Sequence, residues 1–439
     1  MLASFLPDHT GVAQRFLSLG GLLVMVAIAW LLSVDRRHIR WRPVLWGVGL
    51  QITLGLMILN PTLQALFFNV VDRGVDKLLS FSEAGATFVF QTVEPHKILD
   101  MQGKAIPIQG RISPPLKTFA FWILPTIIFF SSLMAILYHL GIMQRVVYAI
   151  AWLMQRTMGT SGAESLSAAA NIFVGQTEAP LLIRPYVDGM TRSELHAVMC
   201  GGFATVAGGV MAAYVGFLRG IPHIAGHLVT ASILSAPASL AISKLMVPET
   251  ESPATADEVK LSAEKTAGNV IEAAANGASD GAKLAINVGA MLIAFVGLIA
   301  MGDYVLSLIP FAGAPLSMSR IFGWVFSPIA FSMGVPWHEA PTVGRLLGEK
   351  IVLTEFIAYV HLGEMVQSTH AVLSQRSAII ASYALCGFAN FASIGIQLGG
   401  IGGIAPRRMR DLAQLGLRAM VGGSLAAFMT ATIAGVMLG

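Results

Sequence analysis

The sequence predicts an all-α membrane protein with about eight transmembrane helices, two opposed re-entrant hairpins and interfacial helices, arranged as an inverted repeat. Three observations predict it. Apolar residues make up 55% of the 439 and charged residues only 12%. An ordinary soluble domain is about 25% charged, so a water-facing surface could not be covered here. Eight apolar stretches approach the roughly 20 residues that cross a bilayer as a helix. Two more carry an acid, polar residues and Gly or Pro at their middle, and the order of elements around them occurs twice.

Taken along the chain, the first run, Phe16 to Val34, has only Arg15 before it and no small-residue cleavage site, so it reads as a membrane helix rather than a signal peptide. Pro43 to Leu59 is the second span and is short. Leu63 to Leu79 and Val146 to Met158 have helical apolar spacing with Asp72, Lys77, Arg145 and Arg156 in or beside them. That pattern suits helices lying along the membrane surface. Phe119 to Leu140, Ala197 to Leu218, Ile224 to Val247, Leu284 to Ile309, Ile379 to Gly399 and Leu415 to Leu438 complete the spans. Pro248 to Lys265, with Glu249, Glu251, Asp257, Glu258 and Glu264, reads as a solvated cytoplasmic loop. Gly277-Ala278-Ser279-Asp280-Gly281 has the letters of a nucleophile elbow but follows an Ala-rich segment instead of a strand, so it reads as a chance match in a linker.

The loops Asp35 to Arg42 and Arg407 to Arg410 are densely basic and face the cytoplasm by the positive-inside rule. Arg184 and Arg192 fall on the same side, and eight crossings put both termini in the periplasm. The two interrupted stretches, 167–187 and 343–362, must each enter and leave on one side, the first from within and the second from without. Lipid cannot satisfy a non-helical backbone, so the two tips are expected to meet inside the protein. The formal charge of +4 is accounted for by orientation in the membrane, with no nucleic acid implied. Cys200 and Cys386 lie in apolar spans and read as small hydrophobes. The chain has no phosphate-binding loop, and His338-Glu339 lacks the second His of a zinc-protease helix.

An ionisable side chain at membrane depth costs several kcal/mol (roughly 2.5 or more) and defaults to a functional reading. Glu178 and Glu355 are the two that matter, one in each hairpin. Thr177-Glu178 recurs as Thr354-Glu355, and Gly202-Phe203-Ala204-Thr205 as Gly387-Phe388-Ala389-Asn390. Inverted repeats with interrupted helices point to a secondary transporter. Asn390 and Ser393 fall on one face of a broken span and, with the two acids, form an acceptor-rich site without Lys or Arg. Such a site disfavours anions and suits a neutral polyol or a ring with amide-like edges. A nucleoside is both, its ribose hydroxyls matching a carboxylate and Asn, its base edge matching Gln176 and Thr177. Asn171 and Thr205 supply neutral oxygens, and bends at Val174 and Val206 would free carbonyls, a set suited to sodium more than to a divalent ion. A nucleoside-binding channel and an intramembrane hydrolase using the two acids are the alternatives. Asp303, His361, Glu364 and His370 read as interfacial or solvated.

At Asn171-Ile172-Phe173-Val174-Gly175-Gln176-Thr177-Glu178-Ala179-Pro180-Leu181 the chain resembles the concentrative nucleoside transporter family. It also resembles that family at Gly202 to Gly208, Thr354 to Tyr359 and Gly387 to Ser393. The resemblance runs from about Thr118 to the C terminus, with only hydropathy agreeing before it. It implies an N-terminal part, 1–117, contributing to a scaffold, and a transporter core, 118–439, carrying both hairpins in a moving domain. It further implies a homotrimer in a bacterial inner membrane that imports nucleosides on a sodium gradient, with no other cofactor and no enzymatic activity; since some members of the family couple to protons, it also leaves proton coupling through Glu178 or Glu355 as the alternative. Position by position, Glu355, Asn390 and Ser393 resemble the ribose contacts, with Phe388 beside them. Gln176, Thr177 and Glu178 resemble the base contacts, with Val210 lining the pocket. Asn171, Val174, Thr205 and Val206 resemble the sodium position.

Overall fold

Runs of Leu, Ile, Val, Ala and Phe with few breakers become helices wherever the backbone can satisfy its own hydrogen bonds, and the fold is nearly all helical. The computed structural model describes residues 5–6, 11–58, 60–90, 97–99, 105–107, 119–255, 267–311, 314–368 and 371–438. Leu59, the boundary at Thr118, Asp257, Glu258, Glu264 and His370 lie outside the described residues.

In order, the chain forms α1 (Val12–Leu31), α2 (Trp41–Ile58) and α3 (Pro61–Phe90), then a short antiparallel pair β1 (Lys97–Leu99) and β2 (Ala105–Pro107). A π-helical turn, Phe119–Ile123, leads into α4 (Leu124–His139), followed by α5 (Ile142–Met158) and α6 (Gly162–Ala170). An irregular stretch, a 3-10 turn (Ala179–Ile183) and α7 (Arg184–Val187) precede α8 (Arg192–Ala204), α9 (Gly208–Phe217), α10 (Ile224–Met246) and α11 (Val270–Ser307). After a second small pair, β3 (Pro310–Phe311) and β4 (Ala314–Pro315), come α12 (Met318–Ser332), α13 (Ala340–Val352), α14 (Glu355–Gln367), α15 (Gln375–Leu385), α16 (Phe391–Ile404) and α17 (Met409–Met437). The series hairpin, broken span, long helix therefore occurs twice, as α6 to α10 and as α13 to α17.

Five described segments are long and apolar enough to cross a bilayer: Gln14–Leu31, Ala120–His139, Arg192–Phe217, Ile224–Met246 and Pro406–Met437. The bent pair Trp41–Ile58 and Leu63–Phe90 counts as a sixth if taken as one span. Of the other predicted crossings, 284–309 is the C-terminal part of α11, and 379–399 is divided between α15 and α16 by its break.

Four expectations need correction. The helix from Pro61 is longer than 63–79, running to Phe90; it turns 83° from α2, which sets it across that helix. The segment 277–281 is no linker but the second and third turns of α11, whose start Asn269 caps by accepting from Glu272 N at 2.8 Å. Its glycines are there for contact. A Cβ on Gly277 would lie 2.7 Å from Ser131 O, and one on Gly281 2.8 Å from Ile128 Cα, so only glycine lets α11 and α4 approach this closely. The stretch after Val247 is not simply solvated: Glu249 and Thr255 are buried, and Thr255 O accepts from Gly162 N at 2.8 Å. His361 is half-buried with Nδ1 2.8 Å from Glu349 Oε2, instead of facing solvent. Asp303 accepts from Met318 N at 2.7 Å and so tethers the start of α12.

The core centres on α10 and α17, with α8, α15 and α16 against them. Helix α10 and the α8–α9 pair are each 89% buried, whereas α4 is only 17% buried and packs chiefly along α11. Helix α5 is amphipathic, as its spacing predicts, burying Met143, Val147, Ala151, Met154 and Met158. Helices α1 and α2 lie along α17 and α10, so by packing they join the body that carries the hairpins rather than the α4–α11 pair.

Candidate functional site

Two broken spans lie back to back. Helix α8 stops at Ala204 and α9 resumes at Gly208; α15 stops at Leu385 and α16 resumes at Phe391. The breaks touch, with Phe388 N donating to Thr205 O at 3.3 Å. Gly387 permits this turn: its φ is +139°, and a Cβ there would sit 2.6 Å from Phe203 O.

Asn390 caps α16, its Oδ1 accepting from Ser393 N at 2.8 Å. The cap commits the amide's orientation and aims Nδ2 at Glu355 Oε2, 2.9 Å away. Glu355 opens α14, where Thr354 is the N-cap residue and the helix dipole favours an anion. Its other oxygen, Oε1, accepts from Tyr214 OH at 2.9 Å. Tyr214 is itself fixed by stacking on Tyr359, ring centroids 4.1 Å apart. Val210, one turn earlier on α9, is buried beneath it in sequence order, and Phe388 is half-buried at the break. The second hairpin thus presents a buried carboxylate held from two sides by donors.

The first hairpin is irregular over residues 171–178. Gln176 Oε1 accepts from Gln397 Nε2 at 3.0 Å, and the same nitrogen donates to Met199 O at 3.1 Å. Thr177 packs on α16 at Gly400, where a Cβ would come 2.7 Å from its methyl group. Glu178 keeps to its own turn, lying against Gly175, and is exposed where Glu355 is buried. The two tips converge on α16, at Asn390 and at Gln397. Seven residues of helix separate these contacts by roughly 10 Å. The expected meeting of the tips takes this form, with α16 between them.

Asn171 lies at the end of α6, buried, with Nδ2 donating to Ser167 O at 3.1 Å. Among the described residues its Oδ1 has no hydrogen-bond partner. It lies against α8, since a Cβ on Gly201 would be 3.4 Å from Nδ2. One turn on, Thr205 donates to Gly201 O at 2.9 Å, leaving its oxygen lone pairs free to accept. Val174 and Val206 both fall in non-helical backbone, as the bends predict. A buried amide oxygen without a partner costs about 1–3 kcal/mol, and a small cation beside it would remove that cost. The neighbouring oxygens are neutral, which fits a monovalent ion. Among the described residues no three of His, Cys, Asp and Glu stand close enough to hold a metal ion.

The expectation of a site without Lys or Arg is corrected in one respect. Lys350, five residues before Glu355, is fully buried. Its Nζ donates to Ala384 O at 2.8 Å and lies 5.7 Å from the Phe428 ring centroid, so it faces α15 and α17. Sequence reasoning also missed Tyr214 and Gln397. Both were within reach of it: Tyr214 follows Val210 by four residues on α9, and Gln397 extends the 390, 393 face by one more turn.

Three family models match the chain: "Na+ dependent nucleoside transporter N-terminus" over residues 20–93, "Nucleoside recognition" over 120–220, and "Na+ dependent nucleoside transporter C-terminus" over 227–435. Solute carrier family 28 member 3 of Homo sapiens is 42% identical over 439 residues, covering 97% of this chain and 60% of the relative. The chain thus spans about 60% of the length of that relative. An uncharacterized transporter of Haemophilus influenzae is 43% identical over 430 residues, covering 96% of this chain and 97% of that protein. The solved structure of CNTnw in an inward-facing substrate-bound state superposes with a TM-score of 0.85 at 42% identity, covering 97% of this chain and 98% of that one.

Proposed function

Because this chain belongs to the sodium-dependent nucleoside transporter family, we propose that it is a symporter importing nucleosides across a bacterial inner membrane on a sodium gradient. The observation that carries this reading is the pairing of two unlike features at adjacent breaks. One is the carboxylate of Glu355, held by Tyr214 and Asn390; the other is the orphaned Oδ1 of Asn171.

In this reading Glu355, Asn390 and Ser393 take the ribose hydroxyls, with Phe388 against the sugar. The carboxylate oxygens retain lone pairs beyond those used by Tyr214 and Asn390, so hydroxyl donors add to the network without dismantling it. Gln176, Thr177 and Glu178 take the base edge, and Val210 supplies an apolar wall. Sodium is cargo held by Asn171 and Thr205 side-chain oxygens and the Val174 and Val206 carbonyls. Its binding would tie the irregular stretch of the first hairpin to the break after α8, ordering Gln176 and Thr177. That linkage raises nucleoside affinity when sodium is bound, and the reverse holds by thermodynamic necessity.

The moving body includes both hairpins and, from their packing, α1 and α2; the static part is built on α4 and α11 within a homotrimer. The sequence division at 117/118 then does not mark where movement begins, and the family match reaches back before it, to residues 20–93. Both termini lie in the periplasm, as the basic loops require.

The test is uptake of radiolabelled uridine and adenosine into proteoliposomes under an inward sodium gradient, an inward proton gradient without sodium, or neither. Accumulation with sodium alone is expected. Accumulation with protons alone would transfer coupling to a glutamate, and equilibration without accumulation would leave a nucleoside channel.

A further inference from the structure

Beyond the sodium position stands a polar face of α6 that the transport reading leaves unused. Asn171, Ser167 and Glu164 are spaced four and three residues apart, so they line one face of the helix. Every residue of α6 from Gly162 to Ala170 is buried. Ser167 Oγ, wholly buried, has no hydrogen-bond partner among the described residues, although a helical serine ordinarily bonds back to a carbonyl one turn earlier. With Asn171 Oδ1 it makes two orphaned oxygens on consecutive turns.

The face ends at a cluster with more acid than base. Glu164 Oε2 lies 2.7 Å from Lys244 Nζ, and Glu249 Oε2 lies 3.2 Å from the same ammonium. Glu194 joins through Ser161, whose Oγ donates to Glu194 Oε1 at 2.5 Å. Lys244 thus bridges two buried carboxylates, and a third, Glu194, is linked to Glu164 only through Ser161. A cavity of about 90 Å³ opens beside them, lined by Arg40, Thr160, Ser161, Glu164, Lys244 and Glu249 among others. At 10–15 Å³ for each water position, it has room for several waters. Arg40 belongs to the basic loop that faces the cytoplasm, so the cavity lies at the inner end of α6. From Asn171 to Glu164 is roughly 10 Å of helix.

We propose that this face is the exit route of the coupling cation, with Glu164 a transient monovalent-cation site at the cytoplasmic mouth and Ser167 a stepping oxygen between it and Asn171. The proposal rests on the reading of Asn171 as a sodium ligand. A cation leaving Asn171 meets the Ser167 oxygen one turn on, then the Glu164 carboxylate, where it displaces Lys244 toward Glu249. The hydrated cavity completes its shell and releases it. The site is suited to passage rather than residence, because its carboxylates already have protein donors and the ion must compete with an ammonium.

Net uptake and exchange separate this role from a structural one. Net sodium-driven uptake requires the ion to leave inside on every cycle. Exchange of internal for external labelled uridine, with saturating sodium on both sides, does not. Ser167→Ala removes only an unpartnered oxygen, so it should fold as the parent does. Net uptake should fall about threefold to tenfold, a cost near 1 kcal/mol per lost oxygen ligand being a factor of about five, while exchange stays within twofold. Glu164→Gln should show the same split more strongly. Equal loss of net uptake and exchange in both variants would show these residues to be packing elements and overturn the proposal, as would unchanged net uptake in Ser167→Ala. Should the parent protein itself accumulate uridine without a sodium gradient, the sodium reading fails first, and the exit route with it.

Discussion

The two hairpins share a plan and differ in how their polar groups are satisfied. In the second, α13 and α14 are regular helices meeting at a two-residue break, and Glu355 is buried with both oxygens occupied by donors at 2.9 Å. In the first, the outgoing arm is a 3-10 turn and a four-residue helix, Glu178 is exposed, and Asn171 and Ser167 keep buried oxygens without partners among the described residues. Glu355 in one hairpin is satisfied by two donors; the other hairpin keeps two oxygens that a donor or a small cation would fill. On the proposed reading, the difference teaches that pre-formed geometry belongs to the substrate side and unfilled valence to the ion side. Binding of sodium would therefore order the hairpin that needs ordering.

The contrast can be broken most decisively at Glu355. Glu355→Gln keeps the shape, and its amide can still face Tyr214 and Asn390, so the protein should insert and melt as the parent does. The substrate would lose two charge-assisted acceptors at about 1.5 kcal/mol each, and kcat/KM for uridine uptake should fall roughly 100-fold. Wild-type uptake in this variant would remove Glu355 from the site. Asn171→Ala should act on the ion instead: the sodium concentration for half-maximal uptake should rise about tenfold, the effect of losing one ligand worth near 1.4 kcal/mol. If the sodium curve is unmoved while nucleoside KM shifts, the two hairpins have exchanged roles.

Smaller changes sharpen the comparison. Tyr214→Phe removes one of the two donors that hold Glu355, and KM for uridine should rise about fivefold, the value of one hydrogen bond, with the sodium curve unchanged. Thr205→Ser keeps the hydroxyl at the break and should alter sodium half-saturation by less than about twofold; a larger effect would mean that the methyl group, through packing, sets the ion position.

Hydropathy alone made the helices legible, because a backbone in lipid has few ways to satisfy itself. The interruptions were legible too: Gly175, Pro180 and Gly387 sit in or beside the breaks, and the acids mark them. What failed at this level was local context. The segment 277–281 reads as a linker after an Ala-rich segment, but it is helix, and its glycines permit contact with α4 that larger residues would prevent. Glu249 looked solvated because its neighbours are polar, and only the approach of Lys244 and Thr191 buries it.

The sequence by itself determined the membrane class, the repeated hairpin and broken span, and the placing of Glu355, Asn390, Asn171 and Thr205 at or beside the breaks, since each follows from composition and spacing along one chain. Tertiary structure alone decided which oxygens are filled. Glu355 meets Tyr214 across 141 positions and Gln176 meets Gln397 across 221, whereas Asn171 Oδ1 and Ser167 Oγ find no hydrogen-bond partner among the described residues. Whether a buried polar atom has a partner depends on which distant helix packs against it, and periodicity along one helix carries no record of that neighbour.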